Sequence, residues 1–340
     1  MFVRNGFSFL SNITTILYKG EYSMKVLVMG GTEFVSSSLA KYLISKDYTV
    51  DIFTRGVKPV KYEGIRNHFK GDRKLVEDLE ANLSKECYDY VFDISAYVKE
   101  DVKKLIGVLN RENLKRYVFC SSGAVYIPSE KIVDEEFTRG ENFNWGSYGY
   151  DKKEAEDYLF QLWEKEKFPI TIFRPTYIYG EENNLYRETY LFDRITQGLA
   201  IPIPSGNKRT QFIHISDLVK VFESAIQTEK AVGQVYNVTH SEIINWNQLV
   251  ETVMKVMNKE VKVKPVNGEK LNINTREYFP FRDVTYILDT KKAEDHGLYM
   301  PSLDLAKGME LAYKHYCNTK PVLKDPRMNK VDLVIGLDMN

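Results

Sequence analysis

The feature that most restricts the fold of this chain is a regular alternation of short apolar runs with longer amphipathic runs, from Lys25 to about Pro175. The short runs are rich in β-branched and aromatic residues, as parallel strands buried on both faces are. The longer runs place apolar residues three and four positions apart, which is typical of surface helices. This order predicts an α/β fold with a Rossmann-type doubly wound parallel sheet. The predicted strands are KVLVM, TVDIF, YDYVFDIS, RYVFCSS and ITIFRP, and the predicted helices are SSSLAKYLISK, RKLVEDLEANL, VKKLIGVLNRE and KKEAEDYLFQLWEK.

The pattern loosens after residue 180, where loops with Gly, Pro and Asn separate shorter elements. We therefore predict a dinucleotide-binding Rossmann domain over residues 24–178. A smaller C-terminal substrate lobe follows over residues 179–320 and returns to the Rossmann sheet. Residues 321–340 fit neither unit and are assigned to a C-terminal arm.

The first 23 residues are predicted to lie outside the core. They lack the long apolar segment and small-residue cleavage site of a signal peptide, and Met24 stands directly before the first strand. The tripeptide KGE, residues 19–21, can be encoded by a sequence that resembles a bacterial ribosome-binding site at a suitable distance upstream of Met24. We expect translation to start at Met24, which makes residues 1–23 a mis-assigned leader. A short ordered extension is the alternative.

Composition excludes several functional classes. The 340 residues contain 47 Lys plus Arg and 47 Asp plus Glu, so no overall field favours nucleic acid or a membrane surface. The three cysteines form no close pair, which suits a reducing compartment and offers no metal cluster. No apolar run approaches the roughly 20 residues of a membrane helix. We expect a cytoplasmic protein without a metal, a membrane contact or a nucleic-acid partner, and the sequence leaves a homodimer open.

A glycine turn, GGTEF, follows the first predicted strand and precedes the first helix. A pyrophosphate binds at such a helix N-terminus through backbone N–H groups and the helix dipole. Gly30 and Gly31 fill the turn. Glu33 and Ser36 stand where further glycines usually allow close approach of the phosphate and of the strand. The turn therefore predicts a dinucleotide site that binds less tightly than a glycine-complete one.

The end of the second strand bears on cofactor choice. An acid that binds the ribose of NAD is expected near Thr54, but Arg55 follows instead and can pair with the 2′-phosphate of NADP. The alternative for Arg55 is a solvated loop arginine. Asp51 lies in the middle of the strand and is expected to face a neighbouring element. Asp72, in KGD, can accept from the adenine amino group, or it can be an ordinary helix cap.

The segment GSYGYDKKEAE predicts a catalytic pair. Tyr148 and Lys152 are four positions apart in a helical stretch, so they lie on one face. A nearby ammonium favours the phenolate and lowers the tyrosine pKa from about 10, which gives a general acid/base near neutral pH. Ser122 ends the preceding strand, where its hydroxyl can bind the substrate oxygen that exchanges a proton with Tyr148. Tyr150 is the competing acid, but Glu154 rather than a lysine follows it at four positions.

Seven segments in order make the chain resemble the extended short-chain dehydrogenase/reductase superfamily, the NAD(P)-dependent nucleotide-sugar epimerases and dehydratases. They are VMGGTEF, KGD, VFCSSGAVY, YGYDK, FRPTYIYG, TQFIHISDL and GQVYNVT, within residues 24–317. FTRG and QFIHISDL make it most similar to the branch that includes chloroplast stem-loop-binding proteins and bacterial epimerase-like proteins.

The resemblance implies roles for particular residues. Tyr148 is implied as the acid/base, Lys152 as its activator and ligand of the nicotinamide ribose, and Ser122 as the hydroxyl donor. The residues expected to bind the cofactor are Gly30, Gly31, Thr32, Glu33, Phe34, Val35, Thr54, Arg55, Asp72, Ile94, Ser95, Tyr148, Lys152, Pro175 and Tyr177.

The same resemblance implies that this chain lacks part of the family's binding site for a nucleotide diphosphate. One arginine position of the family falls on Thr210, with Arg209 next to it, and the other falls on Phe279, with Arg282 nearby but out of register. The sequence thus predicts an NAD(P)-dependent epimerase, dehydratase or reductase that acts on a nucleotide sugar or similar polyol. The alternatives are a non-catalytic Rossmann binding module, with RNA or a structural cofactor as its ligand, and a reductase of another small carbonyl compound.

Overall fold

The computed structural model describes residues 23–337, so the predicted leader lies outside the described residues except for Ser23. Thirteen strands occur in this range. In chain order they are β1 (Lys25–Met29), β2 (Thr49–Thr54), β3 (Asn67–Lys70), β4 (Tyr90–Asp93), β5 (Arg116–Cys120), β6 (Ile170–Pro175), β7 (Tyr177–Tyr179), β8 (Ile201–Pro204), β9 (Arg209–Thr210), β10 (Phe212–His214), β11 (Gln234–Val238), β12 (Ile244–Asn245) and β13 (Val263–Val266).

Helices alternate with these strands, as the sequence predicts. In chain order, the α-helices within residues 23–337 are α1 (Phe34–Ile44), α2 (Val76–Leu83), α3 (Lys99–Val108), α4 (Ser147–Glu166), α5 (Glu188–Thr196), α6 (Ile215–Gln227), α7 (Trp246–Met257), α8 (Gly268–Leu271), α9 (Lys291–Asp295), α10 (Leu305–Thr319) and α11 (Val331–Gly336). None of these helices is long and apolar enough to cross a membrane.

Seven strands within residues 23–337 form the central sheet, in the order β3-β2-β1-β4-β5-β6-β11. Every neighbouring pair is parallel. The chain changes direction across the sheet between β1 and β4, and in open parallel sheets ligands bind at such a point beyond the carboxyl ends of the strands. The predicted Rossmann-type doubly wound sheet is confirmed.

Successive residues of β1 serve opposite faces of the sheet, because side chains alternate along a strand. Val26 and Val28 pack into the apolar layer beneath α1 and α6, whereas Leu27 and Met29 pack beneath α2, α3 and α4. Both layers exclude water almost completely, which explains why the strand is apolar throughout.

The second lobe has its own aromatic core, in which Trp246 stacks on Phe281 with ring centroids 5.3 Å apart. Helices α5, α7 and α10 contact one another around this core. Three two-stranded sheets lie at its border: β7 with β10, β8 with β13, and β9 with β12. Helix α11 of the C-terminal arm packs on β8. The boundaries at residues 178 and 320 stay predictions.

Candidate active site

A cavity of about 1330 Å³ runs along the carboxyl edge of the central sheet and continues under the second lobe. Its lining begins at the glycine turn after β1, passes the ends of β2, β3 and β4, and reaches α4, β7 and the C-terminal arm. Fifteen of the sixteen predicted site residues line this cavity, and Gly31 is the exception. The structure therefore brings the sequence-predicted residues to one place.

The glycine turn has a backbone that requires glycine at both positions. Gly30 has a φ of 112°, and a Cβ there would lie 2.7 Å from the Ser36 side chain. Gly31 has a φ of 125°, and its Cβ would lie 2.7 Å from Cγ2 of Ile52, on the side turned away from the cavity. Both φ values belong to a region that other residues rarely adopt. The turn leads into α1, whose first backbone N–H groups have no partner within the helix and belong to residues that line the cavity.

Glu33 is not an isolated acid beside this turn. Its carboxylate pairs with the Lys58 ammonium and accepts a hydrogen bond from Asn184, 3.2 Å away, on a loop of the second lobe. The Ser36 hydroxyl donates to the Glu33 carbonyl oxygen at 2.9 Å. The lysine partner offsets the charge that, from the sequence, counts against phosphate binding.

Strand β2 ends at Thr54, as predicted, and Arg55 is exposed on the cavity wall. Within residues 23–337 the Arg55 guanidinium has no ion-pair partner. The Thr54 hydroxyl accepts from the Gly56 N–H at 3.0 Å and lies 2.7 Å from Nε2 of His68. Asp51 faces a neighbouring element, as expected, since it is buried and accepts from Arg66 Nε at 2.9 Å. No carboxylate therefore ends β2.

The ends of β3 and β4 add a buried ion pair that the sequence did not predict. Arg73 holds Asp93 through two hydrogen bonds of 2.6 and 2.9 Å and donates to the Ser95 hydroxyl at 2.9 Å. Burial raises the pKa of Asp93, but Arg73 and the Tyr117 hydroxyl outweigh it and hold that pKa below its usual value. Ser95 and Ile94 are thereby fixed on the cavity wall. Asp72 also lines the cavity. Its carboxylate accepts a hydrogen bond from the Lys74 N–H at 2.9 Å, two residues further on, and so closes a local turn.

Helix α4 positions the catalytic candidates, and it begins at Ser147, five residues before the helix predicted from KKEAEDYLFQLWEK. Its first turn packs against the turn that follows β5. Gly149 lies so close to this turn that a Cβ would come within 2.0 Å of the Ala124 carbonyl oxygen. Because Ser122 starts the same turn, the close approach brings Tyr148 to Ser122.

The Tyr148 phenol is half-buried beside Tyr97, with ring centroids 6.1 Å apart. Burial raises the pKa of Tyr148 above its ordinary value, and the nearby Ser122 hydroxyl opposes this only in part. The prediction that Lys152 lowers this pKa is wrong for the structure, since desolvation of the phenol dominates. Tyr286, which the sequence did not single out, also lines the cavity and donates to the Pro175 carbonyl at 3.1 Å.

Lys152 is buried, and its ammonium donates to the carbonyl oxygens of Ala96 and Cys120, both 2.6 Å away. It also lies 4.8 Å from the ring centroid of Phe119. Burial lowers the pKa of Lys152. An ammonium has three donors, so one N–H is left for a ligand in the cavity.

Tyr150, the competing acid, is exposed and does not line the cavity. Its ring lies beneath the Lys153 ammonium, 5.3 Å from the centroid. The placement favours Tyr148 as the residue that meets a ligand.

The substrate end of the cavity carries arginines at positions that the family pattern does not give. Thr210 and Phe279 are buried outside the cavity, and Arg209 is exposed outside it. Neither position therefore supplies a cation to the cavity, but other cations line it instead. They are Arg187, Arg276, Arg282, Lys324 and Arg327.

These cations have no common spacing that a reader of the sequence could recognise, because they come from three separate segments. For Gly149 a weak signal was present, since a glycine within a helix costs stability and such a residue often marks a close approach of another backbone. Within residues 23–337 no group of three or more His, Cys, Asp or Glu side chains could hold a metal ion.

Comparison with known protein sequences adds three findings. A model of the NAD dependent epimerase/dehydratase family matches residues 26–239. Chloroplast stem-loop binding protein of 41 kDa b from Arabidopsis thaliana is 28% identical over 306 residues, which cover 85% of this chain and 78% of that protein. UDP-glucose 4-epimerase from Vibrio cholerae is 26% identical over 260 residues, covering 71% and 78% respectively.

The solved structure of UDP-glucose 4-epimerase from Thermus thermophilus in complex with NAD matches this fold with a TM-score of 0.71 at 17% identity. The match covers 87% of this chain and 100% of that one. At this identity the similarity shows the fold alone.

Proposed function

The chain belongs to the NAD dependent epimerase/dehydratase family, and from this premise we propose that it is an NAD(P)-dependent enzyme that interconverts or dehydrates a nucleotide sugar. Tyr148 is the acid/base of the proposed reaction, Ser122 binds the reacting oxygen, and Lys152 positions the cofactor. The division into a cofactor domain before residue 178 and a substrate lobe after it is part of the proposal.

One observation carries the proposal: a glycine turn at a helix N-terminus and the Ser122–Tyr148–Lys152 group open into the same cavity. The turn offers unpaired N–H groups to a pyrophosphate, and the group offers a phenol and a hydroxyl to a substrate. A binding module that had lost catalysis would not need the Ser122–Tyr148–Lys152 group beside the glycine turn.

The residues fit a dinucleotide, since a Cβ at Gly30 would fill the cradle and the first turn of α1 offers N–H donors. The pyrophosphate would bind at Thr32–Val35, and Pro175 and Tyr177 would lie against the nicotinamide. The free N–H of Lys152 would hold the nicotinamide ribose. Arg55 would pair with a 2′-phosphate, so we propose that NADP binds at least as well as NAD.

The chemistry of the site follows from the groups that meet in the cavity. When bound, the nicotinamide supplies the carbon that accepts or returns hydride. In the oxidative direction the Tyr148 phenolate takes the proton of the substrate hydroxyl, and in the reductive direction the neutral phenol returns a proton to the substrate oxygen. The Ser122 hydroxyl holds that substrate oxygen in both directions. Because burial raises the pKa of Tyr148, the residue is a protonated phenol near neutral pH and is a better acid than base there.

The substrate class is argued from charge. Five cationic side chains line the cavity beyond Tyr148, against one carboxylate, Asp325. A nucleotide sugar carries a diphosphate, which such a group of cations binds. The Vibrio cholerae relative, named for UDP-glucose, supports this substrate class.

A second candidate is an RNA-binding module, favoured by the similarity to a chloroplast stem-loop binding protein. The balance of 47 basic and 47 acidic residues weighs against it, since RNA usually meets a basic surface. Retention of a labelled hairpin RNA at physiological salt, with no cofactor binding, would favour this candidate.

The test uses the full chain. Calorimetry with NADP+ and NAD+ measures cofactor binding, and NMR follows the conversion of UDP-glucose and other nucleotide sugars by the loaded protein. We expect micromolar cofactor binding and turnover of at least one nucleotide sugar. Absence of cofactor binding would contradict the proposal.

A further inference from the structure

The C-terminal arm, residues 321–337, is firmly seated on the second lobe. Val331 and Val334 are buried in the aromatic core of that lobe. Lys264 donates to the Ile335 carbonyl at 2.8 Å, and Lys330 pairs with Glu277 at 2.8 Å. These contacts fix residues 324–327 at the substrate end of the cavity, where all four line the wall.

The cations at this end are short of partners. Arg187 lies over the Tyr177 ring, 5.2 Å from its centroid, and Arg282 lies over Trp145 at 4.5 Å and donates to the Asn144 carbonyl. Neither guanidinium has a carboxylate partner within residues 23–337. Arg276 has a buried Nε with no hydrogen-bond acceptor in that range. Burial lowers the pKa of Arg276 to about 10, and Arg327, Arg187 and Arg282 add to the decrease by repulsion.

Within residues 23–337, the carboxylate that forms ion pairs with Arg276 and Arg327 is Asp325, and it belongs to the arm. Asp325 Oδ2 accepts from Arg276 at 2.6 Å and from Arg327 Nη2 at 2.8 Å. Asp325 Oδ1 accepts from Arg327 Nε, also at 2.8 Å. The Asp325 side chain is only 9% exposed, so it is held between the two guanidinium groups. Two guanidinium groups around one anion is the arrangement by which proteins bind phosphate.

We propose that the C-terminal arm completes the anion-binding end of the substrate site, and that Asp325 is an internal anion which a substrate phosphoryl group replaces at Arg276 and Arg327. The inference rests on the proposed function for its substrate class. It assigns to Lys324, Asp325 and Arg327 a role in selecting a substrate that carries at least two negative charges. A neutral sugar cannot compete with Asp325 for the two arginines.

The test titrates inorganic pyrophosphate, which has two linked phosphoryl groups and no base, into full-length variants by calorimetry. Asp325→Asn keeps the oxygen that accepts from the Arg327 backbone N–H, 3.1 Å away, but removes the competing charge. We expect this variant to bind about tenfold more tightly, and Arg276→Gln about tenfold more weakly. Arg209→Gln is the matched control, since Arg209 is exposed outside the cavity, and it should leave binding unchanged.

If Arg276→Gln does not fold, Lys324→Gln replaces it, because Lys324 is exposed on the cavity wall. Unchanged or weaker binding to Asp325→Asn, or an equal loss in Arg209→Gln, would overturn the inference. Melting shifts with NADP+ on the same samples separate the two proposals. The expected variant pattern without a cofactor shift supports the inference and contradicts the proposed function; a cofactor shift without that pattern does the reverse.

Discussion

Gly149 lies against the carbonyl oxygen of Ala124, at a place where a Cβ would stand only 2.0 Å from that oxygen. The contact joins the first turn of α4 to the turn after β5. Tyr148 is the neighbour of Gly149 in sequence, and Ser122 begins the turn that contains Ala124. Because Gly149 has no Cβ, α4 can approach this turn closely, and the Tyr148 phenol lies near the Ser122 hydroxyl.

The first prediction concerns this contact. Gly149→Ala should push α4 away from the turn, cost about 1–3 kcal/mol in the free energy of unfolding by overpacking, and lower turnover. Gly107→Ala in α3 is the matched control, because a Cβ at Gly107 meets no atom within 4 Å. The control should raise stability by roughly 0.5–1 kcal/mol. Thermal unfolding and turnover measure both, and equal effects of the two changes would refute the close contact.

The second prediction assigns the acid/base. Tyr148→Phe should reduce turnover by roughly 10²–10⁴ while cofactor binding persists, since the ring stays and only the hydroxyl is lost. Tyr150→Phe, at an exposed residue two positions away, should change turnover little. Steady-state kinetics with matched calorimetry separates the two variants. Normal turnover in Tyr148→Phe would remove this residue from the mechanism.

The third prediction is the pH dependence. Oxidation of a hydroxyl needs the Tyr148 phenolate, and burial raises the pKa of this phenol above its ordinary value. Below that pKa the phenolate fraction grows roughly tenfold per pH unit, so the rate of hydride transfer to the cofactor should rise from neutral to alkaline pH without a plateau near pH 7. Reduction, which needs the neutral phenol, should stay constant over the same range. A stopped-flow pH profile that levels off near neutrality would contradict the raised pKa.

The central sheet could be predicted from sequence because a strand buried on both faces must be apolar along its length, as β1 is. Strand β3, with the sequence NHFK, was not among the predicted strands. It lies at the edge of the sheet and is half-exposed, so burial does not constrain its residues to be apolar. The apolar pattern of α4 starts only at Lys152, but the spacing of Tyr148 and Lys152 placed its first turn in the helix as well, and the structure begins the helix at Ser147.

The site residues likewise fall into those that could be predicted from sequence and those that could not. Gly30, Ser122, Tyr148 and Lys152 stand in local segments whose spacing is dictated by a turn or by one helix face, and all four line the cavity. Arg187, Arg276 and the arm residues come together only through the packing of the second lobe. No local pattern marks them, because their neighbours in space are remote in sequence.

The fourth prediction concerns cofactor choice. Arg55 is exposed on the cavity wall and no acid ends β2, so Arg55→Ala should weaken NADP binding about tenfold and leave NAD binding nearly unchanged. Calorimetry measures the binding of both cofactors to the same variant, so NAD binding serves as the control for NADP binding. An equal loss for both would show that Arg55 contacts the adenine rather than the 2′-phosphate.

The fifth prediction concerns Glu33, the acid beside the expected pyrophosphate. At about 6 Å and an effective dielectric near 20, one carboxylate repels one phosphate charge by roughly 3 kcal/mol. Lys58 pairs with Glu33, and this carboxylate is 39% exposed, so solvent and the ammonium both reduce that repulsion. Glu33→Gly should therefore tighten cofactor binding by about threefold to tenfold, partly because Lys58 becomes free to face the phosphate.

A double-mutant cycle separates the two causes, since coupled residues are expected to be non-additive. Lys58→Ala alone should weaken binding, because it leaves the Glu33 charge without its partner. Glu33→Gly together with Lys58→Ala should bind close to the original affinity. Ser36→Gly should add little, since the Ser36 side chain is uncharged and its hydroxyl donates to the Glu33 carbonyl. Weaker cofactor binding in Glu33→Gly alone would instead show that the hydrogen bond from Asn184 to Glu33, which joins the turn to the second lobe, holds the cavity in its binding shape.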